Sequence, residues 1–404
     1  MSGRSLKSRV FVTGMGAVSC LGPDASTLWQ RILLGQRGIA DLELFATDSH
    51  RTKLAGQVDD AQLPETYAHL ARADRFGCTA TDAALAMAGL RQEQLHTARA
   101  GVFFGSSTGA LFEGERFLQQ LLADREGDLH SITGLQNNGP GDAVAHTFGV
   151  RGPVLTFSTA CTSANVAIGA ALDALQSGEC DVAIAGGADE LCEITYAGFN
   201  SLRAIDAVPS RPFRGDRKGL SMGEGSGVLL LETEAHARAR GANALAELCA
   251  SARSCDAQHV SAPDPEGHGA AQAIHTALAE AGLTTADVTF VNAHGTGTPH
   301  NDSSESRAMQ RVFEERTGSL PITSTKGAVG HLLGAAGGIE AVLTVQAIQS
   351  RQLPPTAGDA EADAELGLDV VLHEPRTLPE HNVGLSTNLA FGGNNAVILL
   401  RSVT

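Results

Sequence analysis

Aromatic residues are scarce: one Trp, two Tyr and 14 Phe, 4% of 404 residues. Few rings leave little surface for base stacking, and a net charge of −16 repels a phosphate backbone. Nucleic acid is therefore disfavoured as a partner, and an acidic protein would need a local basic patch. No run of eighteen apolar residues occurs, so the sequence offers no membrane span. The seven cysteines form no CxxC pair and no regular ladder. Such an odd, scattered set predicts reduced thiols in the cytoplasm, one of them available for catalysis. Hydrophobic residues make up 43% of the chain, which excludes general disorder. The length suits two to three ordinary domains or one large duplicated unit.

At the N-terminus, Arg4, Lys7 and Arg9 precede an apolar run ending at Cys20 and imitate a lipoprotein signal. Thr13, Gly14 and Gly16 interrupt that run, which reads instead as a first strand, Val10–Thr13, and its turn. Further strands are predicted at Gly101–Phe104, Val154–Phe157, Asp181–Ala185 and Val228–Glu232. A second series follows at Val288–Ala293, Pro321–Thr323, Asp369–Leu372, Val383–Ser386 and Asn395–Leu400. Ala-rich helices are predicted at Ala80–Leu90, Thr162–Ser177, Gly267–Ala281, Asp302–Phe313 and Leu332–Gln349. Alternating strands and helices indicate an α/β fold. His236–Ser254 separates two halves, 1–247 and 248–404. The halves echo each other: Phe157–Cys161 and Thr323–Lys326 each end a strand before a small-residue helix, a structural pseudo-duplication.

Cys161, in Thr159-Ala160-Cys161-Thr162-Ser163, is the strongest candidate nucleophile. Small neighbours allow a tight turn, and a helix N-terminus is expected to lower the thiol pKa. Taken alone it could equally be a buried core cysteine. His294 ends an apolar strand before a Gly/Thr turn, where α/β active sites collect. His331 opens a glycine-rich helix start, a place that favours a neutral imidazole donating from Nε2. Glu340 interrupts an apolar helix and calls for a buried cation, for which Lys326 is the candidate. Gly14-Met15-Gly16 imitates a dinucleotide fingerprint, but Ser19 occupies the third glycine position. Gly223–Gly227 lacks the Walker Lys-Ser/Thr, and His294, His300 and Asp302 lack a metal-binding register. No cofactor and no metal are expected.

The motifs TACTSA at Cys161, NAHGTGTPHND at His294, STKGAVGHLLGAAGGIE at His331 and AFGGNNAV near the C-terminus form an ordered set. Together they resemble the elongating β-ketoacyl-acyl-carrier-protein synthases, condensing enzymes of the thiolase superfamily. The resemblance runs nearly end to end, through Arg211-Pro212-Phe213 and Gly223-Glu224-Gly225. It implies a duplicated, five-layered α-β-α-β-α fold, with the nucleophile in the first half and the histidines, Lys326 and glycine loop in the second. Cys161 would carry the acyl group and His294 and His331 would form the histidine pair. Lys326 would give support, held by Glu340. Phe391 would gate the site, its N–H joining that of Cys161 in an oxyanion hole. The implied reaction is decarboxylative condensation of malonyl-acyl-carrier protein with the acyl group, giving 3-oxoacyl-carrier protein and CO2.

Leu111, Phe112 and Leu220 are implied neighbours of the acyl pocket. Arg72 and Arg203, among the cations Arg72, Arg75, Arg203, Arg214 and Arg217, are implied to meet an acidic carrier protein. Arg125, alone among three acids in Ala123–His130, suggests a dedicated carrier. Leu220 stands where many fatty-acid members carry Phe, Leu389-Ala390 replaces Phe-Gly, and Asn394 replaces Thr. These departures point toward a specialised polyketide or polyene pathway as well as fatty-acid synthesis. A homodimer is implied, or a heterodimer with a silent chain-length homologue. Cys161 argues against the chain itself being that silent subunit. The absence of a C-terminal acid/base Cys argues against a degradative thiolase, and the two histidines against an initiating synthase.

Overall fold

The computed structural model describes residues 8–123, 126–127, 129–132 and 135–403. Arg4, Lys7 and Arg125 lie outside the described residues. Eleven strands form one continuous sheet of two like halves. The first half holds β1 (Val10–Val18), β2 (Ala100–Gly105), β3 (Val154–Phe157), β4 (Val182–Asp189) and β5 (Gly225–Thr233). The second holds β6 (Ala246–Cys255), β7 (Phe290–Asn292), β8 (Pro321–Thr323), β9 (Asp369–Val370), β10 (Val383–Leu389) and β11 (Asn394–Arg401).

Spatial order in the first half is β1-β5-β4-β2-β3, and in the second β6-β11-β10-β7-β8-β9. In each half two antiparallel pairings are followed by parallel ones. The pseudo-duplication read from the sequence is therefore a repeat of topology, with β9 appended. Helices Ser163–Ser177 and Ala336–Ser350 lie between the half-sheets, and helices Arg72–Ala88, Gly139–Phe148, His268–Ala281 and Pro299–Phe313 cover the outer faces. These are the five α-β-α-β-α layers of a thiolase-like fold. Ala336–Ser350 is buried on nearly every side, which is why it reads as apolar all round rather than as a stripe.

Two sequence-based expectations change. The first strand does not turn at Thr13 but runs to Val18, with a register shift between Val12 and Gly14. Gly14 and Gly16 are there for packing: a Cβ at either would collide with the carbonyl oxygen of Ala84 or Ala80 on the overlying helix. The expected separator His236–Ser254 contains most of β6, which pairs with β1 and with β11 and joins the half-sheets. Its Ala, Ser and Arg residues hide it from strand propensity, because tertiary burial rather than β-branching selects this strand. The position 247/248 falls inside β6.

Candidate active site

Each functional side chain sits just beyond the C-terminal end of a strand in the parallel part of a half-sheet, where the polypeptide must turn and side chains can converge. Cys161 follows β3, His294 follows β7, Lys326 follows β8, and Phe391 follows β10. β3 and β8 hold equivalent places in the two halves, so Cys161 and Lys326 meet across the pseudo-twofold. The turn at the nucleophile is strained, with Ala160 at φ 53°. Side-chain hydrogen bonds hold that turn. Ser163 Oγ donates to the Ala160 carbonyl (2.6 Å), and Thr162 Oγ1 donates to that of Thr159 (2.7 Å).

Sγ of Cys161 and ring nitrogens of His294 and His331 all lie within 4.8 Å of one another. The imidazole centroids are 5.1 Å apart and the rings are nearly perpendicular at 83°. Nδ1 of His331 accepts the Leu333 N–H at 3.0 Å, and Nδ1 of His294 accepts from Asn388 Nδ2 at 3.2 Å. With both Nδ1 atoms accepting, each ring carries its proton on Nε2. Burial lowers both histidine pKa values well below the ordinary 6.5, and the nearby Lys326 charge pushes them the same way. The pair is thus neutral and donating. The same three residues could in principle share a metal ion, but Nε2–H donors suit a developing anion rather than a cation.

Lys326 Nζ donates to Glu340 Oε1, and both residues are buried. Glu340 Oε2 accepts from Asn388 Nδ2 at 2.8 Å, so one amide nitrogen links the ion pair to His294. Removing one partner of such a buried pair costs about 3–5 kcal/mol, because the other charge is stranded. The Cys161 thiol departs from expectation. Burial pushes its pKa up to about 11, outweighing Lys326 and the backbone N–H groups of Phe391 and Cys161, which favour thiolate. The helix terminus is present, but desolvation wins. Those two N–H groups lie close enough to the sulfur to favour its anion.

A cavity of about 400 Å³ opens onto Cys161, lined by both histidines, Leu220, Phe199, Phe391 and Lys218 among others. Phe391 is 38% exposed and stacks on Phe199 with centroids 5.6 Å apart. Leu220 therefore borders the chemistry. Leu111 and Phe112 do not line this cavity; they begin the helix Leu111–Leu122, where the Phe112 N–H donates to Glu190. Three of the arginines named as cations are held internally, and Arg75 is half-buried. Arg72 is 5% exposed and forks onto Glu224, with Asp60 and the Val58 carbonyl as further partners. Arg214 donates to the carbonyls of Ala360 and Thr356, Arg217 pairs with Asp363, and Arg75 reaches Asp60. Arg72 is corrected from a docking residue to a structural one, since its guanidinium is already spent. Arg203 and Lys218 are exposed at the cavity mouth, with no ionic partner among the described residues.

Residues that sequence reasoning missed include Asn388, Glu305 and Phe199. Glu305 accepts the N–H groups of His294 and Gly295, both at 2.8 Å, and the Thr387 hydroxyl. Burial raises its pKa to about 7. Its sequence signal was an acid on the buried face of a helix starting beside the histidine motif. Asp189, at the end of β4, accepts from Ser106, Ser107 and Thr108 and from the Gly334 N–H. That last bond ties the turn after His331 to the first half-sheet.

Family models for the β-ketoacyl synthase N-terminal and C-terminal domains match residues 7–237 and 245–358. The chain belongs to the β-ketoacyl synthase family. It is a condensing acyltransferase. Nodulation protein E of Rhizobium meliloti is 37% identical, over 98% of this chain and 99% of that protein. The 3-oxoacyl-(acyl-carrier-protein) synthase 2 of Synechocystis is 36% identical, over 98% of each. Among solved structures, the ishigamide ketosynthase/chain length factor covers 98% of this chain and all of its own, at TM-score 0.93 and 30% identity. A type II polyketide ketosynthase, in complex with its acyl-carrier protein and bound to the hexaketide, has the same coverage, at TM-score 0.90 and 27% identity. Among the described residues of this synthase, no helix is long and apolar enough to cross a membrane.

Proposed function

We propose that this synthase elongates acyl chains carried on the phosphopantetheine of an acidic acyl-carrier protein, within a specialised polyketide or polyene pathway. The observation that carries the reading is the convergence of Cys161 Sγ with two neutral imidazoles whose Nδ1 atoms already accept hydrogen bonds, leaving Nε2–H on each ring to donate. Cys161 attacks the acyl thioester, and the N–H groups of Cys161 and Phe391 hold the tetrahedral oxyanion. The acyl group passes to sulfur, and the Cys161 proton ends on the departing pantetheine thiol. Malonyl-carrier protein then enters the cavity. His294 and His331 donate to its thioester carbonyl, CO2 leaves, and the enolate so stabilised attacks the acyl-Cys161 carbonyl. The Cys161 thiolate departs and the 3-oxoacyl chain is left on the carrier. Loss of CO2 drives the step, so neither a metal nor a redox cofactor is needed.

Leu220 beside the histidines and Leu389 near Phe391, each standing where relatives carry Phe, support the specialised pathway, because the smaller side chains leave room for a bulkier acyl group. Exposed Leu155 on the sheet-edge strand β3 favours a dimer through that edge. A second copy and a silent homologue would both suit it, and native mass of the chain with and without such a homologue separates them. The cytoplasm, where thiols stay reduced, is the proposed compartment. The test of function is intact mass of the protein after exposure to a panel of acyl-carrier thioesters. An acyl adduct mapped to Cys161, and 3-oxoacyl product only when malonyl-carrier protein is added, supports the reading. No adduct on Cys161 from any thioester defeats it.

A further inference from the structure

The short helix Lys326–Val329 carries Lys326 at its start and leads directly into His331, and it is too short to satisfy its own carbonyls. Each of the four has a partner. The Lys326 carbonyl accepts from Gly330 N–H (2.9 Å) and from Ser210 Oγ (3.3 Å). The next three are met in order by donors from one remote stretch of chain, residues 20–38. Arg37 Nε donates to Gly327 (2.9 Å), the Gly38 N–H to Ala328 (2.8 Å), and Cys20 Sγ to Val329 (3.6 Å). Burial pushes the Cys20 thiol up to about 12, so it keeps the proton it donates. Gly56 and Gly223 crowd the Val329 carbonyl so closely that a Cβ on either would collide with it.

Among these donors only Arg37 uses its side chain to join two segments. Its second nitrogen, Nη2, donates to the Ser210 carbonyl at 2.5 Å, while Ser210 Oγ reaches back to Lys326. Among the described residues the guanidinium has no hydrogen-bonded carboxylate; Arg211 and Arg214 are its like-charged neighbours, with Asp359 opposing them. A cation held by carbonyls among other cations is an arrangement that surface solubility does not require. We propose that Arg37 is a positioning residue for condensation: its planar fork fixes the Lys326–Gly330 turn and thereby the place of His331 relative to Cys161. This rests on the proposed reaction for its substrate, though not for its geometry. Cys161 and Phe391 belong to other turns, so the clamp bears chiefly on the enolate step and reaches acyl loading only through the Lys326 charge near Cys161.

The experiment compares wild type with Arg37→Met and Arg37→Lys, using octanoyl-pantetheine for Cys161 loading and malonyl-pantetheine for CO2 release. Misplacing a catalytic group by about 1 Å costs on the order of 10²-fold. Arg37→Met is expected to lose about 10²-fold in kcat for CO2 release, with KM unchanged, and to lose far less in the rate of Cys161 loading. Arg37→Lys should recover part of the loss, because an ammonium cannot bridge both carbonyls. Side-chain 15N NMR should show the His331 nitrogens moving more than those of His294, which the Lys326 turn reaches only through Glu340 and Asn388. Should Arg37→Met fail to fold, Arg37→Gln retains one donor and takes its place. Equal loss in both half-reactions, or a His331 signal that stays put, overturns the proposal. The NMR arm decides the clamp even where wild type releases no CO2, an outcome that would instead defeat the proposed substrate.

Discussion

Asn388 Nδ2 lies 3.2 Å from Nδ1 of His294 and donates to it, which assigns the His294 proton to Nε2. Replacing that donor by an acceptor should invert the assignment. Asn388→Asp is expected to draw the proton to Nδ1 and remove one donor from the enolate site. It also sets a second carboxylate beside Glu340, in place of the amide that Oε2 now accepts. Release of CO2 from malonyl-carrier protein should fall by about 10²–10³-fold, the usual loss for one preorganised donor, while acyl loading falls much less. Single-turnover CO2 release and Cys161 acyl mass check the split.

The division of labour between sulfur and imidazoles predicts separable half-reactions. Cys161→Gln should abolish acylation and condensation yet keep releasing CO2. His294→Ala and His331→Ala should load Cys161 and release CO2 poorly. If Cys161→Gln stops CO2 release while His294→Ala spares it, the roles assigned to these residues are wrong.

With its pKa raised to about 11, Cys161 is a thiol at neutral pH. Its alkylation by iodoacetamide should rise about tenfold per pH unit between pH 7 and 9, following the thiolate fraction. Peptide mapping separates it from the exposed Cys255. A flat profile would show that the sulfur is ionised already.

Both histidines have folded pKa values depressed below 6.5. Below that pH the unfolded chain binds more protons than the folded one, so their contribution is complete above about 6.5 and is lost as pH falls. The urea midpoint should therefore drop between pH 7 and 5. The double variant His294→Ala with His331→Ala should show a smaller drop, measured against its own value at pH 7.

Among the arginines, position decides the outcome. Arg72→Glu would put a second carboxylate against buried Glu224 and should unfold or strongly destabilise the protein, by at least about 3 kcal/mol. Arg203→Glu with Lys218→Glu should leave the melting temperature nearly unchanged and raise KM for the carrier protein at low salt. An unchanged KM removes these two cations from the docking surface.

The local chemistry was legible in the sequence because each reactive side chain sits in a short turn whose small residues are themselves diagnostic. Cys161, His294, Lys326 and His331 could be named from their neighbours, and Phe391 from the resemblance of its glycine loop to the family's. The α/β alternation was legible too, since strand and helix periods differ. Three things belonged to tertiary structure alone. The direction of the Cys161 pKa shift depends on how completely the fold removes water, which a helix terminus in the sequence does not reveal. The fate of Arg72, Arg214 and Arg217 depends on carboxylates and carbonyls 12 to 152 residues away. The place of β6 at the centre of the sheet depends on burial between β1 and β11. Local sequence encodes what a residue can do; distant partners and the exclusion of water decide which of those capacities is expressed.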